Sequence, residues 1–302
     1  MRDVTFDSDE YLKEERLRER RNSNELLWEN IEESRRWRIS KRTEDKTDAD
    51  KISIQFHHYH PATAQFYIAF SGTIQGIAND YIRSILLYGA ARRASSIFRS
   101  ITKLPRVAPL GRESPLSQEE MTEVNDCLLL LYVHYIGVID AFSIAYTRVV
   151  PSLERCKERY ADLLTEKFRS KIGSSELEKI FTQNDAWLFR VKDKLLNRFV
   201  HRVPPYVPPS VFRPAHKEEF DRLSEEGSRA LAKRDMNLYG EIEEEKERLG
   251  EFFPWICFID DNEFMPFHST VLDDLFRFQV LALDLLEEIL PRCTVSAVPS
   301  VK

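Results

Sequence analysis

Residues 127–146 read CLLLLYVHYIGVIDAFSIAY, and their reading decides the fold. The stretch is apolar enough to need a membrane test. His134, Asp140 and Ser143 stand inside it, and an Asp at a bilayer centre costs roughly 2.5–3.5 kcal/mol. We therefore read a buried helix at the centre of an all-helical protein. Leu128, Leu131, Tyr135, Val138 and Phe142 recur at spacings of three and four and form its core face. The run Ser117-Gln-Glu-Glu120 opens the helix with a capping box, and Pro151 stops it near Val149.

The segments on either side follow the same period. Upstream, Phe66, Phe70, Ile74, Ile77, Tyr81, Ile85 and Tyr88 predict a helix over 62–101, with Gly72 and Gly76 as points of close packing. Pro105 and Pro109 are expected to end it, and 105–117 reads as a Pro-rich loop. Downstream, 152–170 reads as a short amphipathic helix ending near Gly173. Ser174 or Ser175 caps another that reaches His201. Pro204, Pro205, Pro208 and Pro209 then forbid helix. Residues 217–251 carry 12 acidic and 7 basic side chains and read as a solvated helical pair broken near Asp235 and Asn237. In 253–267 (FPWICFIDDNEFMPF) two apolar runs flank Asp260-Asp261-Asn262, a β-hairpin pattern. The turn residues also suggest a cation site, although they lack the spaced oxygens and Gly of a calcium loop. The last helix is expected over 270–290, apolar at Val271, Leu275, Phe278, Leu281, Leu285 and Leu286.

Residues 1–50 contain 12 basic and 15 acidic side chains and read as a charged arm. Residues 51–56 (KISIQF) alternate as a short strand or extended link. The expected organisation is a charged arm over 1–50, a basic helix with a Pro-rich loop over 51–117, and a helical domain over 118–302 with an insertion at 216–251. Nine Gly in 302 residues weaken any sandwich, barrel or Gly-rich phosphate loop. Cys127, Cys156, Cys257 and Cys293 form no CxxC pair and read as free thiols of a reducing compartment. The charged first residues carry no apolar run. Together these predict a cytoplasmic protein without a membrane anchor. His57, His58 and His60 invite a metal reading, but no Cys or carboxylate stands nearby in sequence, and loop packing is the plainer reading. Dinucleotide, P-loop, zinc-protease, esterase and kinase motifs are missing. No cofactor or metal is expected.

Two local features carry chemistry. A net charge of −6 argues against a basic nucleic-acid binder as a whole, so any such binding needs a local patch. From Tyr81 to Arg112 there are seven basic residues and no acidic one: Arg83, Arg92, Arg93, Arg99, Lys103, Arg106 and Arg112. Six are Arg, whose fork suits phosphate oxygens. The competing reading is a solvated helix face pairing with acidic segments. The second feature is the helix end 191–203. Lys194, Asn197, Arg198 and His201 stand at offsets 0, 3, 4 and 7, within roughly 100° of one α-helical face. A His beside cations and facing a phosphodiester can take a proton from a ribose 2′-hydroxyl, while Lys or Arg balances charge on phosphorus.

Asn197-Arg-Phe-Val-His201-Arg202 at a helix end resembles the signature of the HEPN superfamily (higher eukaryotes and prokaryotes nucleotide-binding). The apolar helix 132–142 with its embedded Asp140 resembles that family's opening core helix, and the likeness covers about 118–291. It implies an all-α bundle that commonly dimerises across the signature. It also implies RNA binding or metal-independent endoribonuclease activity of the toxin–antitoxin or phage-defence kind, with RNA, a second copy, and an antitoxin or other protein as partners. His201 would be the base, Asn197 the polar position, and Lys194 or Arg198 the charge-balancing cation. Arg92, Arg93, Arg99, Lys103, Arg106 and Arg202 would contact RNA. The chain departs from the family pattern at Leu196, which stands where Arg is usual. Lys194, six intervening residues before His201, supplies a cation without the fork. A non-catalytic interaction protein is the competing expectation.

Overall fold

The capping box forms as the sequence predicts. In the computed structural model, which describes residues 63–109, 112–201, 203–210, 216–258 and 263–294, Ser117 Oγ accepts from Glu120 N at 3.2 Å. Ser117 N in turn donates to the Glu120 carboxylate at 2.8 Å. The helix it opens, α3 (Gln118–Val149), runs 32 residues. Leu128, Leu131, Tyr135, Val138 and Phe142 are all buried on it. It is long and apolar enough to cross a membrane, and 67% of its most apolar window is buried inside the fold, as a core helix is. Helix dominates the described residues.

The chain divides into two units, Met1–Gln65 and Phe66–Lys302. In the second, α1 (residues 66–75) packs Phe66 and Phe70 against Phe278 and Phe142. The predicted helix over 62–101 is interrupted after residue 75, where Asn79 caps a new start by accepting from Tyr81 N and Ile82 N. This second helix, α2, comprises Asp80–Ile85, a π-turn Leu86–Ala91 and Arg92–Val107. Pro105 does not end it. Pro costs an interior helix one hydrogen bond and a clash, and here it falls in the last turn, where Ala108 N still reaches Leu104 O at 2.9 Å. Gly72 has nothing near its missing Cβ, and Gly76 sits in the turn after α1. The close helix approach is at Gly89 instead, where a Cβ would lie 2.8 Å from Ala141 Cβ.

The expected helix over 152–170 is mostly absent. Two short 3₁₀ turns, Pro151–Leu153 and Glu158–Tyr160, precede a brief α4 (Glu166–Ile172). Side chains take the backbone donors that a helix would use: Leu163 N donates to Ser143 Oγ at 3.0 Å and Leu164 N to Asp162 at 2.9 Å. Such local bonds compete with helix. Gly173, at φ 69°, ends α4 in the left-handed region, which costs Gly no Cβ clash. Ser174 then caps α5, which comprises Ser175–Phe189, a π-turn Arg190–Leu196 and Asn197–His201.

The charged insertion is a helical hairpin, α6 (Lys217–Ala232) and α7 (Met236–Arg248), with Asp235 capping the second helix. Leu223, Ala230 and Ile242 form a small core separate from the main one. Strands β1 (Trp255–Phe258) and β2 (Glu263–Pro266) pair antiparallel, with Trp255 opposite Pro266 and Phe258 opposite Glu263. Tyr206 adds a bridge to Cys257. The hairpin is as predicted, while its turn with Asp260-Asp261-Asn262 lies outside the described residues, as do the arm, the link over 51–56, and His57, His58 and His60. The chain then enters α8 (Phe267–Thr294), longer at both ends than the apolar pattern indicated. All four cysteines are free thiols.

One polar cluster ties the bundle together. Asp274 on α8 is fully buried. It accepts from Tyr132 Oη of α3 at 2.8 Å, from Trp187 Nε1 of α5 at 2.9 Å, and from both Nη atoms of Arg190.

Candidate nucleic-acid interface

The regular part of α2 turns four of the basic residues to one side. Arg92, Arg99, Lys103 and Arg106 are exposed. At about 100° per residue they fall within roughly 60° of one another, a stripe about 21 Å long. Lys103 is held by Glu123 of α3 at 2.9 Å. Among the described residues Arg99 bonds only Ser96 Oγ, at 3.3 Å. Arg92, Arg99 and Arg106, spaced by seven, make no ion pair among the described residues.

Two of the seven cations do other work. Arg83 pairs with Asp80 and donates to Ile77 O at 2.9 Å. Arg112 grips Glu120 with both Nη atoms, at 2.7 and 2.6 Å, and donates to Val107, Ser114 and Pro115 carbonyls. It fastens the Pro-rich loop to the α3 capping box and holds the Glu120 carboxyl down at about 2.

Arg93 leaves the stripe and turns onto α3. A Cβ on Gly137 would lie 2.3 Å from Arg93 Nη1, 2.5 Å from Cζ and 2.8 Å from Nε, so the guanidinium rests on the glycine backbone. One turn away is His134, whose imidazole is pushed down by burial and then by Arg93 and Arg99. On the other side Asp140 is pushed up by lost hydration and by Asp162, and drawn back by Arg93 and Lys192.

The second expected site is engaged from within the fold. Lys194 pairs with Glu263 of β2 at 2.9 Å, and Asn197 Nδ2 donates to Asp193 at 2.8 Å. Arg198 is 6% exposed and sits 5.5 Å over the Phe258 ring of β1. His201 closes the last helical segment of α5, and Arg202 lies outside the described residues. Lys194 falls in the π-turn, where each residue advances less than in an α-helix, so its angle to the other three is not the one that a uniform α-helix gives. Lys194 and Arg198 thus face the β-hairpin, whereas the basic stripe borders α3.

Sequence reasoning missed three residues. Gly137 carries a faint signal, a glycine inside an apolar helix, and points to His134 beside it. Asp274 stands in an Asp273-Asp274 pair on the last helix, where only the apolar positions carried a signal. Among the described residues no group of three His, Cys, Asp or Glu side chains is placed to hold a metal. Comparison with protein-family models, with curated proteins and with solved structures gives no match.

Proposed function

We propose that this protein binds RNA through the basic stripe of α2. The observation that carries the reading is the register of Arg92, Arg99 and Arg106, which share one exposed α-helical face without an ion pair among the described residues. A solvated structural face in a chain of net charge −6 would pair its cations, as Lys103 and Arg83 do. Three guanidiniums that make no ion pair among the described residues, along about 21 Å, fit successive backbone phosphates, and their forked donors suit phosphate oxygens. The resemblance around Asn197 and His201 supports a HEPN-like protein, cytoplasmic and dimeric across that helix end.

The Lys194–Glu263 pair and the buried Arg198 favour a second reading for the signature itself: it packs the helix end onto the β-hairpin and makes a partner surface instead of a catalytic one. The two readings separate in one experiment. Purified protein is titrated into labelled single-stranded RNA in EDTA, and the RNA is then run on a gel. Saturable, salt-sensitive binding with intact RNA is the expected result. Discrete products ending in 2′,3′-cyclic phosphate, abolished in His201→Ala, would restore catalysis to the signature. No binding at low salt would refute the RNA reading.

A further inference from the structure

In the groove between α2 and α3 the Arg93 guanidinium lies against Gly137, one turn from His134. Arg93 and Arg99 make no ion pair among the described residues. Both act on the His134 ring, and His134 Nδ1 takes no hydrogen bond among them. Two guanidiniums beside one imidazole favour an anion there, and among the described residues the one carboxylate that Arg93 faces stands on the far side of Gly137 from His134. The facing charges are Arg93 and Arg99 from α2 and, beyond Gly137 on α3, Asp140, whose carboxylate is itself opposed by Asp162.

We propose that Arg93, Arg99 and His134 seat one phosphate group in this groove, with Gly137 fixing Arg93 in place. This rests on the RNA reading above and names where one backbone phosphate is held. Gly137 is the decisive residue, because all three guanidinium atoms Nη1, Cζ and Nε lie closer than 3 Å to where its Cβ would be. Any other residue there displaces the fork. The guanidinium supplies paired donors to a tetrahedral oxyanion, and the imidazole supplies one more.

Gly137→Ala tests this without altering a charge. Ala is the better helix former, and the clash falls on the free end of a flexible side chain, so the melting temperature should hold or rise. Affinity for single-stranded RNA should fall on the order of tenfold, with the salt slope reduced by roughly 0.7. Arg93→Gln should do the same. Separately, ring NMR should show the His134 titration midpoint moving up by about 0.5 pH or more when inorganic phosphate replaces chloride at equal ionic strength, and Gly137→Ala should abolish the move. A phosphate-induced move in a protein that binds no RNA would keep the seat, for free phosphate, and refute the RNA reading. RNA binding that is unchanged in Gly137→Ala but lost when Arg92, Arg99 and Arg106 are replaced would overturn the seat and keep the stripe. A His134 midpoint indifferent to phosphate would overturn the seat outright.

Discussion

Replacing Asp274 should cost this protein more stability than any other single polar substitution in the bundle. Asp274 is fully buried and accepts from two other helices at once, from Tyr132 Oη of α3 at 2.8 Å and from Trp187 Nε1 at 2.9 Å and the Arg190 guanidinium of α5. Asp274→Ala leaves two buried neutral donors without an acceptor, each worth about 1–3 kcal/mol. It also strands Arg190, and breaking a buried pair costs about 3–5 kcal/mol. The Arg190 side chain is 25% exposed and can turn toward water, and losses around one acceptor do not add. The expected total is therefore about 4 kcal/mol, a little below the bottom of the summed range. In a body of this size that lowers the melting temperature by roughly 8–16 °C. Asp274→Asn keeps one carbonyl oxygen for Tyr132 or Trp187 but loses the charge and turns the second acceptor into a donor, so it should cost less than Asp274→Ala but more than the loss of one hydrogen bond. Urea and thermal unfolding of the three proteins, followed by far-UV circular dichroism, give the comparison. Asp274→Ala within about 1 kcal/mol of wild type, or Asp274→Asn as damaging as Asp274→Ala, would show that the cluster does not hold the helices together.

Three further outcomes follow from the same reasoning. His268 Nε2 donates to Ala108 O at 2.7 Å, and burial pushes the imidazole down from 6.5 to about 4. The unfolded chain therefore holds the extra proton between those values, stability should fall as pH drops from 6.5 toward 4, and urea midpoints of His268→Gln should lose that slope. Glu120 is held at about 2 against 4.5 in the free side chain, first by the Arg112 hydrogen bonds. Its contribution is present above 4.5 and fades toward 2. Because the side chain is 35% exposed the effect should be no more than about 1 kcal/mol, and Glu120→Gln should flatten the acid limb in unfolding curves taken between pH 5 and 3. Replacing 217–248 by a short Gly-Ser link should leave the melting temperature of the remaining bundle within about 3 °C, since Leu223, Ala230 and Ile242 make their own core. A large drop would place that hairpin in the main core instead.

What the sequence revealed is what is local and periodic. The Ser117–Glu120 box needs only four residues. The buried face of α3 needs only regular spacing, and the Asp235 break and the alternating runs of the β-hairpin are similarly self-contained. The failures share one cause, a side chain spent on a distant or irregular partner. Ser143 and Asp162 take the amides of Leu163 and Leu164, so the helical composition of 152–170 never becomes a helix. Arg112 reads as one more cation for phosphate, yet its donors go to Glu120 and three carbonyls. The π-turn at Arg190–Leu196 has no period that a 3.6-residue reading detects, which is why Lys194 seemed aligned with Asn197, Arg198 and His201. Asp274 and Arg93 were illegible because their partners stand far away in sequence or, at Gly137, consist of backbone alone. For the candidate interface, the charge asymmetry of α2 was visible at once. Which cations are committed to the fold was not.

The RNA reading stands most directly on the salt dependence of binding by the stripe. Each phosphate contact by a cation releases counterions, so the slope of log affinity against log salt counts contacts at roughly 0.7 each for a single strand. Affinity of wild-type protein and of the Arg92→Ala/Arg99→Ala/Arg106→Ala variant for a fluorescein-labelled single-stranded RNA is measured by anisotropy across a salt series. None of the three arginines is in an ion pair among the described residues, so the variant should unfold at the wild-type temperature. The account predicts weaker binding and a slope smaller by about 2. Equal affinity and an equal slope in the two proteins would contradict it.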